Sequence, residues 1–219
     1  MDVIWDSMDV ILESFWLTIQ LLVISAVASM AIGTVLVSAR VSPVPVVRGV
    51  GTAYVWIFRN IPLLMVFVLV VEGAPRIGLL ADIPFLMKGC IALTIYTSAF
   101  VCEALRAGVN SVPLGQAEAA RSIGLTFTQT MGQVILPQAT RAALPPLTSV
   151  FIALAKNTSV GAAFGLAEAT ARFKSVKKYV PGEQDTLVLF LVIALGYIII
   201  VEAMSFGSNR LERRWRVSR

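Results

Sequence analysis

Histidine is absent from the 219 residues, which removes imidazole acid–base chemistry, most nucleophile–base triads and the commonest zinc ligand. The two cysteines, Cys90 and Cys102, fall in one apolar segment. Twelve residues along a helix is about 18 Å of rise, far beyond disulfide reach, so both are predicted to be packing residues. No G-x-x-x-x-G-K-[ST] phosphate loop occurs, which predicts a chain that hydrolyses no ATP of its own. What remains is a small set of polar groups inside otherwise apolar stretches: Arg59, Glu103 with Arg106, Lys156-Asn157-Thr158-Ser159, Glu168 and Glu202. An ionisable group among apolar neighbours is costly, so each of these needs a partner or a function.

The elements that must position them are membrane helices. The chain is 57% hydrophobic and only 14% charged, too few charges to solvate a globule in water. Five apolar segments, about 14–37, 50–71, 89–105, 138–155 and 186–206, each approach the length that crosses a hydrocarbon core. Helices satisfy their own backbone polar groups there, which predicts an all-α integral membrane protein forming one domain over 1–219. The first run follows Asp2, Asp6, Asp9 and Glu13 without a preceding Lys or Arg, so it reads as a retained helix and not a removable leader. Arg40 and Arg48, then Arg106, Arg121 and Arg141, then Arg210, Arg213, Arg214, Arg216 and Arg219 of the tail 207–219 mark the cytoplasmic side. Five transmembrane helices with the N-terminus outside follow. The tail reads as this topology signal with attraction to anionic lipid; no nucleic-acid-binding module accompanies it. The basic segment 172–178 opposes the rule, since this topology puts it outside or within the membrane.

The long polar break, 106–137, is amphipathic. Gln116 to Ile123 suits a short helix, Gly124 a sharp turn, and Thr126 the N-cap of a second helix. Small residues at Ala117, Ala119 and Ala120 would let such a cytoplasmic knob sit deep in a partner's groove, with Glu118 and Arg121 fixing its geometry or pairing across the contact. An ordinary connecting loop is the plainer alternative.

Glu118-Ala119-Ala120, three residues, Gly124, nine residues, Val134, one residue, then Leu136-Pro137 resembles the EAA coupling motif of ATP-binding-cassette importer permeases; Val134 replaces the usual isoleucine. Phe58-Arg59-Asn60-Ile61-Pro62, the Glu103 to Gly108 stretch, Pro137-Gln138-Ala139, Lys156-Asn157-Thr158-Ser159 and Gly165 to Ala169 are similar to permeases for polar amino acids, most of all the glutamate type. The resemblance implies the type I importer permease fold, in the cell membrane of a prokaryote, with a coupling-helix loop. It implies partners: two cytoplasmic ATPases that bind ATP and Mg, a second permease subunit (a copy or a homologue) and an extracytoplasmic binding protein. Glu118, Ala119, Ala120, Arg121, Gly124, Leu136 and Pro137 would be mechanical parts of ATPase coupling. No residue would be catalytic or bind metal, and no cofactor would belong to this chain. A secondary carrier driven by an ion gradient is the competing class, and it would predict internal repeats and paired buried carboxylates.

The intramembrane residues keep two readings each. Arg59 complements a substrate carboxylate, or bridges subunits or snorkels inward. Glu168 receives an α-amino group, or pairs with Lys156 or Arg172 at a helix end. The fourth segment holds Pro145 and Pro146, which weaken its ladder, and is interrupted at Lys156-Asn157-Thr158-Ser159 before a second stretch, 160–171. Asn157, Thr158 and Ser159 face substrate, or cap that broken helix. Glu103 and Arg106, three apart, suit an intrahelical pair, and Glu202 is expected to meet the arginine tail. Gly161 and Gly165 match the small-xxx-small spacing of close helix packing.

Overall fold

A computed structural model describes residues 6–180 and 182–215, and of Trp215 the backbone alone. In the described residues all regular structure is helical: α1 (Met8–Arg40), α2 (Pro45–Asn60), α3 (Leu63–Arg76), α4 (Phe85–Asn110), α5 (Leu114–Ser122), α6 (Phe127–Phe164), α7 (Ala169–Lys177) and α8 (Glu183–Trp215). Four of these, α1, α4, α6 and α8, are long and apolar enough to cross a membrane. The pair α2 and α3, bent by 111° between them, makes a fifth crossing if the two count as one span. The expected single span over 50–71 is therefore broken. Pro62 supplies the reason, because it cannot donate to the helix ladder and holds Ile61 extended at ψ 136°.

The helices meet through small residues, since lipid offers no hydrophobic drive between apolar surfaces. The buried face of α1 carries Ser14, Thr18, Ser25, Ser29 and Gly33, and α1 packs most extensively on α4. A side chain at Gly33 would come within 2.5 Å of Val101, and one at Gly108 within 2.5 Å of the Ala139 carbonyl, so α4 touches α1 and α6 almost backbone to backbone. Cys90 and Cys102 are buried in α4 as free thiols, as expected of packing residues. Phe67, Leu21, Leu93 and Leu154 close the main apolar core where α1, α3, α4 and α6 converge.

Two expectations about α6 change. Pro145 and Pro146 lie inside an unbroken helix, because their missing donors release only the carbonyls of Arg141 and Ala142, on an exposed stretch. The change comes at the interruption expected from Lys156 to Ser159: from Thr158 the helix tightens to a 3-10 turn ending at Gly165, whose φ of 89° stops it. Gly165 is thus a conformational glycine with open space at its missing Cβ. Gly161 alone makes the close contact, within 2.6 Å of Leu166. The expected second short helix of the polar break is the start of α6 itself, running from Phe127 through a π turn at Thr130–Ile135. Of the arginine tail, 207–215 continue α8, and Arg216 and Arg219 lie outside the described residues.

Candidate functional site

At one end of the bundle α5 stands between α4 and α6 as the expected short helix. It turns sharply at Gly124, where φ is 86° and the N–H donates to the Arg121 carbonyl at 3.0 Å. Thr126 then caps α6 with a reciprocal box: its Oγ1 accepts from the Gln129 N–H at 3.3 Å, and the Gln129 side chain accepts from the Thr126 N–H at 2.9 Å. Ala120 is buried, fixing the helix by its inner face, while Glu118, Ala119 and Arg121 face out. Neither Glu118 nor Arg121 makes an ion pair among the described residues. Leu114, Ile123 and Phe127 are 82%, 78% and 76% exposed around them, an apolar ring that the described residues leave uncovered. Leu136 and Pro137 stand apart from this knob, both exposed, two turns into α6.

Inside the bundle the charged groups converge on Glu103. Arg106 donates to its Oε2 from Nη2 at 2.8 Å and Nε at 3.2 Å, the intrahelical pair expected from the spacing. Arg40, at the end of α1, bonds Oε1, and Arg59 of α2 approaches the same oxygen at 3.4 Å. One carboxylate thus meets three guanidinium groups from three helices, leaving positive charge in excess. Arg59 is half-exposed and lies over the Phe100 ring at 5.9 Å. A cavity of about 310 Å³ opens beside this cluster, lined among others by Arg59, Asn60, Trp56 and Phe100. A second cavity, about 410 Å³, also lined by Phe100, is walled by Tyr96, Thr97, Ser149 and Asn157. The tertiary fold therefore brings Arg59 and Asn157, ninety-eight positions apart, to neighbouring cavities that share one aromatic wall. Guanidinium and amide donors on such walls suit a zwitterion or carboxylate.

The other candidates sit differently. Thr158 is buried with its hydroxyl on the Ala155 carbonyl at 2.8 Å, and Ser159 bonds the Lys156 carbonyl at 2.7 Å; both hydroxyls are spent on the end of α6. Glu168 is fully buried as the N-cap of α7. Its Oε1 accepts from the Ala171 N–H at 2.9 Å, and its Oε2 from the Thr170 N–H at 3.0 Å and the Tyr197 hydroxyl at 2.6 Å. No cation lies within ion-pair distance of it among the described residues, so the expected pairing with Lys156 or Arg172 does not form. Three donors satisfy its two oxygens instead. Glu202 is exposed and pairs with no described arginine. Sequence reasoning missed Phe100, Arg40 as a partner of Glu103, and Tyr197 as a partner of Glu168. A lone tyrosine in an apolar helix was the only signal available for the last.

Residues 29–217 match the family described as the binding-protein-dependent transport system inner membrane component. The chain belongs to that family. This inner membrane component is 40% identical to the glutamate transport system permease protein GluC of Corynebacterium efficiens, over 95% of both chains. It is 38% identical to the probable glutamine ABC transporter permease protein GlnM of Bacillus subtilis, over 97% of this chain and 96% of that one. Among solved structures it superposes on an amino acid ABC transporter crystallised with histidines at TM-score 0.88 and 27% identity, covering 96% of each chain. It also shares the fold of the MetNI methionine ABC transporter, at TM-score 0.78, 20% identity and coverage of 97% of this chain and 99% of that one. This inner membrane component is accordingly a multi-pass ABC transporter permease, and these relatives lend no support to a gradient-driven carrier.

Proposed function

We propose that this chain is the translocating subunit of an ATP-driven importer for polar amino acids, with glutamate or a close analogue favoured, in the cell membrane of a prokaryote. The observation that carries the reading is the knob at Gly124, with an apolar ring that the described residues leave uncovered. Separate ATPase subunits that hold ATP and Mg grip α5 through Glu118, Ala119, Ala120 and Arg121, while Gly124 sets the angle at which the pull reaches α6. Leu136 and Pro137 lie on α6 where that pull enters the bundle. This chain has no hydrolytic role in the scheme. A second permease, copy or homologue, completes the pathway, and a soluble binding protein delivers cargo on the side of the N-terminus.

Within the pathway, Arg59 offers its guanidinium to the substrate carboxylate and Asn157 its amide from the second cavity that Phe100 lines. Thr158, Ser159 and Glu168 hold the end of α6 and the start of α7 in place, so that cavity and outer end move together. Alternating access follows when the ATPases close and tilt α5, since packed helices switch between discrete arrangements.

The test is uptake by proteoliposomes holding this chain and its ATPases, with ATP trapped inside and binding protein outside. Uptake of labelled glutamate or glutamine should need internal ATP and survive ionophores that collapse proton and sodium gradients. Uptake that tracked either gradient would overturn the reading.

A further inference from the structure

The basic segment that opposes the topology rule has no carboxylate counterpart among the described residues. Lys174, Lys177 and Lys178 are exposed on or just after α7, and no described carboxylate lies within ion-pair distance of them or of Arg172. Arg172 even keeps a buried Nε without an acceptor. Tyr179, 75% exposed, stands beside the lysines. Cations on this side disfavour the insertion topology, and no described carboxylate offsets them.

The helix that carries them is nonetheless firmly held. Glu168 caps it, the Ala169 N–H donates to Thr18 Oγ1 of α1 at 3.2 Å, and Val176 packs with Ile11, Leu189 and Ile193. Lys177 lies over the Phe173 ring at 6.0 Å. α7 contacts α1, α8 and the last turn of α6, so it covers the ends of three spans. A group bound on it sits over the bundle end, four residues past the Gly165 stop of α6.

We infer that α7 with Lys178 and Tyr179 is a docking platform for the soluble binding protein, which meets it with an acidic surface. The inference rests on the importer reading above and adds the surface and its chemistry. The family is defined by dependence on a binding protein, and a partner arriving by diffusion gains most from a fixed, uncompensated charge patch. A platform already ordered avoids the entropy of ordering on contact. The acidic start of α1, with exposed Asp6, Asp9 and Glu13, lies at the same end, and no ion pair joins it to these lysines. Two separate patches of opposite sign orient the arriving protein as well as attract it. Because α7 follows directly on the end of α6, docking bears on the helix whose other residues wall the Asn157 cavity.

The experiment uses the complete transporter in phosphatidylcholine proteoliposomes and the binding protein that supports uptake in the assay above. ATPase stimulation is titrated with that protein for the wild type and for Lys174→Glu/Lys177→Glu/Lys178→Glu. The half-saturating concentration should rise about tenfold, with the maximal rate and the basal ATPase rate kept within about twofold. Raising salt from about 50 to about 400 mM should weaken the wild type and barely move the variant, since exposed charges are screened over a Debye length. The wild-type salt titration stands even if the variant fails to fold. An unchanged half-saturation in the variant, or a wild type indifferent to salt, overturns the inference. So does a defect seen only when anionic phosphatidylglycerol replaces phosphatidylcholine, which would mean that the lysines bind lipid headgroups. A wild type that imports nothing with any binding protein present overturns the importer reading itself.

Discussion

Glu103 neutralises one of three guanidinium groups, and its removal leaves cations facing one another in a partly dry site. Glu103→Gln should therefore destabilise the protein by roughly 1–3 kcal/mol, between the values of exposed and fully buried pairs. The partners should rank by burial. Arg40 has 16% of its side chain exposed against 41% for Arg106, so Arg40→Met should lower the midpoint of thermal unfolding in detergent more than Arg106→Met. Equal shifts would mean that the Arg40 contact adds nothing to the intrahelical pair. The intrahelical pair was legible from a spacing of three. The hub was not, because Arg40, Arg59 and Glu103 meet only once three helices have crossed.

At the scale of elements, Gly124 joins two helices through a conformation that L side chains avoid and proline cannot reach. Gly124→Pro would need φ near −65° in place of 86° and would delete the N–H bonded to Arg121. The expected outcome is a protein inserted in normal amount whose ATPase subunits are lost on affinity purification; normal co-purification would remove the coupling role of α5. Here the sequence was a good guide, since a turn glycine followed by a Thr-x-x-Gln box is local information. It was a poor guide to Pro145-Pro146, because a helix packed on one side tolerates two missing donors on its exposed stretch. The ion pair expected of Glu168 fails for a related reason: its three donors come from the next turn and from Tyr197, twenty-nine residues away.

For the whole molecule, the charge pattern puts α5 and the described arginines of α8 on one side and α7 with the start of α1 on the other. In a background with Cys90→Ala and Cys102→Ala, Asp9→Cys and Lys177→Cys should react with a membrane-impermeant maleimide on intact cells. Gly124→Cys and Arg213→Cys should react only after permeabilisation. Labelling of position 177 from the cytoplasmic side alone would refute five crossings. The unsubstituted protein should stay unlabelled, as both native thiols are buried.

Solvent, helix content, the number of crossings and the form of the knob are properties of composition, periodicity and short spacings, so the sequence by itself determined them. A deficit of charge demands lipid, and lipid demands helices that satisfy their own backbones. Only the tertiary structure decided the 111° bend between α2 and α3, the Arg40–Arg59–Glu103 hub and the shared wall at Phe100. These depend on how each helix is rotated against its neighbour, and that rotation is set by close contacts such as Gly33 on Val101 and Gly108 on Ala139, between residues far apart in the chain.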